Sequence, residues 1–285
     1  MAGSVPSTGS RLGQGAGRRE LVVLANQPCG PYRLLQVDDP HGATPQPGQF
    51  AMLSALEGWG AGADGRPYLP RALSYARHRD GQAHFLIAEV GPGTKRLCAL
   101  APGERVGMLG PLGRPFQRAA DAQAHVLLVG GGIGIAPLLA LCDLLPGRAH
   151  ALFGFRDASC AQAAELCERP AALQIATDDG SVGRRGSAVE LLVAELARAR
   201  QAAASAGRQV VVAGCGPPPM LEALRRFCRE RDLACELSVE APMACGYGAC
   251  HGCVLELREG SYARACIEGP VFAGERLGPI PDYEA

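Results

Sequence analysis

The chain of 285 residues has no excess of charge, no long apolar run and no recognisable leader segment. Lys plus Arg number 28 and Asp plus Glu number 28, so the formal net charge is zero. Binding to nucleic acid through bulk charge is not expected, because phosphate neutralisation needs a basic surplus. No apolar run reaches the roughly 18 residues of a membrane helix, and none follows the N-terminus as in a secretory signal. We therefore expect a cytoplasmic protein that binds neither nucleic acid nor membranes.

Twelve cysteines are present, and their placement argues against a disulfide framework. Small disulfide scaffolds are short secreted chains with Cys above roughly 8%, whereas twelve in 285 residues is about half of that fraction. Four of the twelve fall between Cys245 and Cys266, and the other eight are scattered from Cys29 to Cys235. This pattern predicts a reducing compartment and one local thiolate site.

Changes in pattern along the chain predict an α+β multidomain protein. Residues 1–18 hold almost nothing to bury and are expected to form a disordered tail. Short apolar segments broken by Pro and Gly over 19–120 predict an antiparallel β-sandwich or β-barrel. Apolar runs alternating with helical patterns over 121–235 predict a parallel α/β domain. Residues 236–285 lack a long periodic helix, so a metal centre would supply the stability that their small core cannot.

In the α/β segment, strand and helix patterns alternate four times. The strand patterns cover 125–131, 149–155, 173–177 and 208–214, and the helical patterns cover 135–145, 161–169, 188–204 and 219–231. Continuous apolar strand patterns of this kind are typical of a parallel sheet covered on both faces.

The strongest motif is the spacing Cys245-x4-Cys250-x2-Cys253-x12-Cys266. Plant-type ferredoxins hold a two-iron cluster with C-x4-C-x2-C and a more distant fourth Cys. The spacing therefore predicts these four cysteines as ligands of a [2Fe–2S] cluster. A zinc knuckle is the alternative, but zinc sites usually contain paired C-x2-C units, and only one is present.

A glycine-rich turn follows the first apolar run of the α/β segment. Gly132, Gly134 and Pro137 form the pattern G-x-G-x-x-P, between a predicted strand and a predicted helix. Glycines let the backbone approach a pyrophosphate, and the helix start supplies N–H groups. The final glycine of the usual dinucleotide fingerprint is replaced by Pro, so a tight turn without a ligand remains the alternative.

A second loop, Cys215-Gly216-Pro217, ends another predicted parallel strand. Ligands bind outside the carboxyl ends of such strands, so both loops are expected to face one crevice. Considered alone, Cys215 is better explained as a small buried apolar residue.

Two weaker signals lie in the barrel segment. Arg71-Ala72-Leu73-Ser74 offers a guanidinium that matches phosphate, and Gly93-Thr94 offers backbone N–H groups in a turn. Each signal alone is better explained as a surface Arg or an ordinary turn.

Taken in order, these motifs carry a resemblance. The chain resembles the electron-transfer subunits of NAD-dependent (class 1B) dihydroorotate dehydrogenases, within the ferredoxin-reductase superfamily. The resemblance covers about residues 20–277 and is most specific in MACGYGACHGC, residues 243–253, and CIEGPVF, residues 266–272. It also includes GPLGRPF, residues 110–116.

The resemblance implies three cofactors and assigns residues to each. FAD would occupy the barrel domain of residues 19–120, NAD the α/β domain of 121–235, and the cluster the segment 236–285. FAD would be bound by Arg71, Ala72, Leu73, Ser74, Gly93 and Thr94 and lined by Leu86, Ile87 and Ala88. NAD would be bound by Gly132, Gly134, Pro137, Cys215, Gly216 and Pro217. Ala72 stands where the family often has Pro, and Ile87 and Ala88 stand where Tyr or Arg is common.

The implied function is electron transfer from the FMN of a catalytic subunit, through the cluster and FAD, to NAD⁺ in pyrimidine (UMP) biosynthesis. The implied assembly is a heterotetramer with two copies of each subunit. No residue is assigned as a catalytic acid or base, so the chain is not expected to oxidise dihydroorotate alone. An NAD(P)H-linked subunit of a sulfide, sulfite or hydrogenase complex is one alternative, and a redox-responsive sensor is another.

The preference between NAD and NADP stays open from the residues. Asp157 lies roughly 20 residues past the glycine turn, where a carboxylate binds the ribose diol of NAD. Arg156 beside it could instead favour a 2′-phosphate. The resemblance implies NAD.

Overall fold

The computed structural model describes residues 17–60 and 67–282. Residues 1–16 of the predicted tail lie outside the described residues. Its last two residues, Gly17 and Arg18, do not belong to a tail, because they pair with Gly110 and Leu109 in a β-ladder. The first strand therefore begins earlier than the apolar pattern indicated, since backbone pairing does not require apolar side chains.

The N-terminal part is a seven-stranded antiparallel sheet with the order β4-β3-β7-β1-β2-β6-β5. The strands are β1 (Gly17–Cys29), β2 (Tyr32–Asp38), β3 (Phe50–Ala55), β4 (Arg71–Ser74), β5 (Arg77–Arg79), β6 (Gln82–Ala88) and β7 (Arg105–Leu112). Ala76, just after β4, donates its N–H to the His84 carbonyl of β6 (2.9 Å). The sheet therefore curls around a core that includes Leu53, Phe85 and Val106, and the antiparallel barrel-like sheet of the prediction is present. Helix α1 (Pro92–Cys98) lies between β6 and β7.

The second part is a seven-stranded sheet with the order β11-β10-β9-β8-β12-β13-β16, in which β16 is the C-terminal strand Val271–Ala273. All its neighbouring strands are parallel except β13 and β16. Its elements are β8 (Ala124–Gly131), α2 (Ala136–Leu144), β9 (Ala149–Phe155), α3 (Ala158–Ala161), β10 (Ala172–Thr177), β11 (Arg184–Arg185), α4 (Ala188–Ser205), β12 (Gln209–Cys215), α5 (Pro218–Glu230) and β13 (Ala234–Ser238). The predicted parallel α/β arrangement is thus observed.

One predicted helix, over 161–169, is shorter than its pattern suggested. Helix α3 ends at Ala161 and is followed by a 3-10 segment, Gln162–Leu166. Arg169 adopts a left-handed backbone, with φ of 52°, and Pro170 follows it. Proline disfavours the helical conformation in the residue before it, so the helical pattern cannot continue to 169.

The C-terminal part contains a hairpin, β14 (Val254–Glu256) and β15 (Tyr262–Arg264), and the strand β16 (Val271–Ala273). β16 pairs antiparallel with β13 and completes the second sheet. The boundary predicted between residues 235 and 236 falls inside β13. The cysteine segment is therefore attached to the α/β sheet by backbone hydrogen bonds as well as by apolar packing.

Buried polar contacts fix the two sheets relative to each other. Glu236 of β13 is 5% exposed and accepts hydrogen bonds from the N–H groups of Gln117 and Ala119 in the connection between the sheets (3.0 Å each). Arg77 of β5 donates to Asp143 of α2 (Nη2–Oδ1, 3.0 Å) and to Glu168 (2.7 Å). Within the described ranges, no helix combines the length and apolar composition needed to cross a bilayer.

Candidate functional site

The cysteine loop, residues 239–253 between β13 and β14, owes its backbone conformation to two glycines. Gly246 and Gly248 have φ of 76° and 85°, a region that side-chain-bearing residues rarely adopt. A Cβ atom on Gly246 would lie 2.5 Å from Met52 Cγ, and one on Gly248 would lie 2.7 Å from Ile267 Cγ1. The loop therefore turns sharply while packing against strand β3 on one side and against the segment after Cys266 on the other.

The sulfurs of Cys245, Cys250 and Cys253 in this loop and of Cys266 after β15 approach one another as two pairs. Cys253 Sγ lies 3.2 Å from Cys266 Sγ, and both residues are almost fully buried. Cys245 forms the other pair with Cys250, whose backbone N–H and thiol both act on the Cys245 sulfur, and Cys250 is exposed. A [2Fe–2S] cluster has four cysteine ligands shared between two irons, and two thiol pairs match that division. In the described part of the chain, no three Cys, His, Asp or Glu side chains surround a point suited to a single metal ion.

Backbone N–H groups converge on the sulfurs and favour their ionised form. Burial opposes ionisation of Cys245, but the N–H donors lower its pKa to about 7. A hydrogen bond with the Cys266 thiol lowers the pKa of Cys253 to about 6, and the same contact raises that of Cys266. Such donors also support thiolates that bind iron. The donor residues are Tyr247, Gly248, Ala249, Cys250, Gly252, Ala265 and Cys266.

The loop lies one strand away from the predicted FAD segment. Met52 of β3, which contacts Gly246, is paired with Ala72 of β4. β4 is an edge strand of its sheet, so one side of its backbone has no neighbouring strand. A ligand bound along Arg71–Ser74 would therefore be close to the thiol pairs.

The structure brings Arg71 and Gly93 together, although 22 residues separate them in sequence. A Cβ atom on Gly93 would meet the Arg71 guanidinium, with Nη2 at 2.7 Å. Arg71 also lies over the Trp59 ring, with Cζ 5.8 Å from the ring centroid. Thr94 Oγ1 accepts from the N–H groups of Val90 (2.9 Å) and Gly91 (3.1 Å), so its hydroxyl shapes this turn.

The three predicted lining residues of β6 differ in orientation. Ile87 is 0% exposed and packs in the core of the first sheet, so its side chain is not available to a ligand. Leu86 and Ala88 point to the opposite face and pack against the core of the second sheet. This difference arises because successive side chains of a strand point to opposite faces. Of Leu86 and Ala88, only Ala88 is partly exposed.

The two loops predicted to bind NAD are in direct contact. A Cβ atom on Gly134 would lie 2.5 Å from Gly216 Cα. The loops follow adjacent parallel strands, β8 and β12, and therefore meet at the carboxyl edge of the sheet, where ligands bind in such folds. Pro137 lies in the first turn of α2, where a missing N–H costs nothing. Pro217 precedes α5 directly.

Cys215 is half-buried at the end of β12. Burial raises its pKa to about 12, so the group remains a neutral thiol near pH 7. Its chemistry in this crevice is that of a small apolar contact, not of a nucleophile.

Tyr32 is a site residue that sequence reasoning missed. It belongs to β2 of the first sheet, yet its hydroxyl would be 3.6 Å from a Cβ atom on Gly132. Burial, together with the neighbouring Cys160 thiol, raises the pKa of the Tyr32 hydroxyl. The sequence pattern predicts only that Tyr32 belongs to a strand. No local pattern shows which loop the side chain of a strand residue faces.

Asp157 and Arg156 lie at the end of β9, beside the glycine turn. Asp157 Oδ1 accepts from the Cys160 N–H (3.0 Å) and caps α3. Its other oxygen lies 3.4 Å from Arg156 Nε. The carboxylate is exposed only in part, while most of the Arg156 side chain is exposed.

Comparisons with known proteins agree with this geometry. The family model for the iron–sulfur cluster binding domain of dihydroorotate dehydrogenase B matches residues 240–278. The electron transfer subunit of dihydroorotate dehydrogenase B (NAD(+)) from Caldanaerobacter subterraneus subsp. tengcongensis is 34% identical over 243 residues, which cover 83% of this chain and 88% of the relative. Its counterpart from Geobacillus thermodenitrificans is 39% identical, covering 81% and 86%.

The chain belongs to the family of dihydroorotate dehydrogenase B electron transfer subunits. The predicted resemblance and the predicted role as an oxidoreductase electron-transfer subunit are confirmed. The fold is also shared with an NADH-dependent reduced ferredoxin-NADP oxidoreductase, at a TM-score of 0.75 and 22% identity over 91% of this chain and 90% of the other. The predicted ferredoxin-reductase-like fold class is thereby confirmed.

Proposed function

We propose that this member of the family transfers electrons between the FMN of a catalytic dihydroorotate dehydrogenase subunit and NAD⁺, using a [2Fe–2S] cluster and FAD. NAD exchanges two electrons as a hydride, whereas a [2Fe–2S] cluster exchanges one electron at a time. A flavin exchanges electrons in both ways and can therefore link the two. The observation that carries the proposal is the contact of the cysteine loop with β3, the strand next to the edge strand that begins with Arg71. The process served is pyrimidine biosynthesis.

The proposed FAD site combines Arg71 with the turn at Gly93 and Thr94. The guanidinium would bind phosphate oxygens in two-point fashion, and the absence of a Cβ at Gly93 leaves room for it. Because β4 is an edge strand, alternate backbone groups along Ala72, Leu73 and Ser74 face away from β3 and would be available to the flavin. Of the three predicted lining residues, Ala88 is the partly exposed one and would contribute to the site from β6.

The proposed NAD site is the crevice at Gly132, Gly134, Pro137 and the loop of Cys215, Gly216 and Pro217. Backbone N–H groups of the glycine turn would bind the pyrophosphate. Tyr32 of the first sheet would border this crevice, because its hydroxyl lies 3.6 Å from the position of a Cβ atom on Gly132. Asp157 would accept from the ribose hydroxyls, which favours NAD over its 2′-phosphorylated form.

A Gly134→Val substitution is expected to raise the KM for NADH at least tenfold. Any Cβ at this position must displace the Gly216 backbone, 2.5 Å away, and so separates the two loops. Steady-state NADH oxidation with an artificial dye would measure the change. The matched control is Gly17→Val, because a Cβ there meets nothing within 4 Å. An unchanged KM with unchanged flavin and iron content would exclude the loops as the NAD site.

The proposed partner is the FMN-containing catalytic subunit, in a heterotetramer of two copies of each chain in the cytoplasm. Cys250 and Tyr247 are exposed on the cysteine loop. This loop is the part of the proposed cluster site that another protein is able to approach.

Reconstitution with a catalytic subunit tests the proposed function. The chain purified anaerobically should contain about two iron and two sulfide, reduce a dye with NADH, and fail to oxidise dihydroorotate. Adding the catalytic subunit should produce NADH from dihydroorotate and NAD⁺. Formation of a complex that reduces dye but yields no NADH from dihydroorotate would contradict the proposal and favour a different electron donor.

A further inference from the structure

A cavity of about 720 Å³ lies at the edge of the second sheet opposite the cofactor loops. It borders the first residue of β12, Gln209, whereas Cys215 at the other end of β12 lies in the proposed NAD crevice. Seven strand residues span about 20 Å, so the cavity is separate from the cofactor sites. Its volume lies within the range of small-molecule sites, roughly 300 to 1,000 Å³.

The cavity concentrates positive charge in a chain whose net charge is zero. Six arginines and two acidic residues, Asp232 and Glu275, line it, which gives a local excess of four positive charges. The arginines are Arg118, Arg200, Arg208, Arg225, Arg229 and Arg258.

Three of these arginines already have protein partners. Arg118 forms an ion pair with Glu275. Arg225 makes two bonds to Glu222 (2.7 and 2.9 Å). Arg200 donates to the Arg231 carbonyl (2.7 Å).

The other three, Arg208, Arg229 and Arg258, have guanidinium groups with no hydrogen bond or ion pair to any described residue. All three are exposed and face the same cavity. Guanidinium groups bind phosphate and carboxylate oxygens in two-point fashion. Three unpaired groups around one cavity therefore match a compact anion with several charges.

The remaining wall of the cavity is apolar. Val210, Leu233 and Ala234 contribute at the starts of β12 and β13, and Ala203 contributes from α4. This wall suits the organic part of a ligand, since small-molecule sites combine apolar lining with a few polar groups.

We propose that this cavity binds a phosphorylated metabolite with at least two phosphate groups, held by Arg208, Arg229 and Arg258. Such a molecule brings three or more negative charges into a small volume and has an organic part for the apolar wall. Arg118 belongs to the connection between the two sheets, whose N–H groups are held by the buried Glu236. A ligand that binds the folded protein and not the unfolded chain would stabilise the folded state by mass action.

The test uses the protein with its cluster and flavin bound, and tripolyphosphate as the probe. Titration calorimetry in low-salt buffer containing saturating NAD⁺ should show binding, and the melting temperature should rise with probe concentration. The double variant Arg208→Gln/Arg229→Gln should weaken binding at least tenfold, because each charged hydrogen-bonding group contributes strongly. The control is Arg198→Gln, an exposed α4 arginine outside the cavity.

Several results would overturn the proposal. Absence of binding at millimolar probe would do so, as would binding that the double variant leaves unchanged or that NAD⁺ displaces. If the probe fails to bind while the double variant weakens assembly with the catalytic subunit, the arginines form a protein interface instead. If the double variant folds poorly, Arg258→Gln provides an independent test. It should also weaken the binding of tripolyphosphate.

Discussion

A Cys250→Ser variant is expected to lose at least 100-fold of the rate of NADH formation from dihydroorotate in the complex, while NADH-dependent dye reduction stays within about twofold. Cys250 is the exposed member of the four cysteines, and a Ser hydroxyl is a poor replacement for a thiolate ligand of iron. The buried pair of Cys253 and Cys266 still packs in the core. The flavin and NAD regions therefore remain folded.

The matched control is Cys29→Ser. Cys29 is a half-buried thiol at the end of β1 and is not one of the four proposed cluster ligands. It should keep both activities and the full iron content. If Cys250→Ser loses dye reduction as well as transfer to the partner, the cluster mainly holds the fold together. If it keeps both, Cys250 is not a ligand.

An Arg71→Ala variant is expected to bind FAD at least tenfold more weakly and to be purified largely without flavin. The Arg71 guanidinium is the charged group beside Gly93, and hydrogen bonds to charged groups contribute about 1.5–3 kcal/mol. Fluorescence titration of the flavin-free protein with FAD measures the dissociation constant. Dye reduction should fall with flavin occupancy and recover when excess FAD is added.

Arg105→Ala is the control for charge, because Arg105 lies in the same sheet and forms an exposed ion pair with Glu20 (3.0 Å). It should bind FAD normally. Iron and sulfide content should be unchanged in both variants, since neither arginine contacts the cysteine loop. An Arg71→Ala protein that retains its flavin through purification would remove Arg71 from the FAD site.

Local chemistry in the sequence was enough to identify the family and the order of the parts. The spacing of Cys245, Cys250, Cys253 and Cys266 implied two-iron chemistry because one short loop and the hairpin after it bring four thiolates together. The glycine turn at 132–137 was found because strand, turn and helix are consecutive in the chain. The alternation of apolar runs likewise predicted the parallel sheet, since periodicity is a property of neighbouring residues.

Other features depended on tertiary structure because they join residues far apart in sequence. The contact of Met52 with Gly246 and of Tyr32 with Gly132 follows from how the two sheets pack. Strand β16 completes the second sheet from the segment predicted to be a separate domain, and Ile87 faces the core because strand register, not residue type, orients it. The sequence thus determined which chemistry is present, and long-range packing decided which groups meet, because packing energies depend on contacts that no local pattern records.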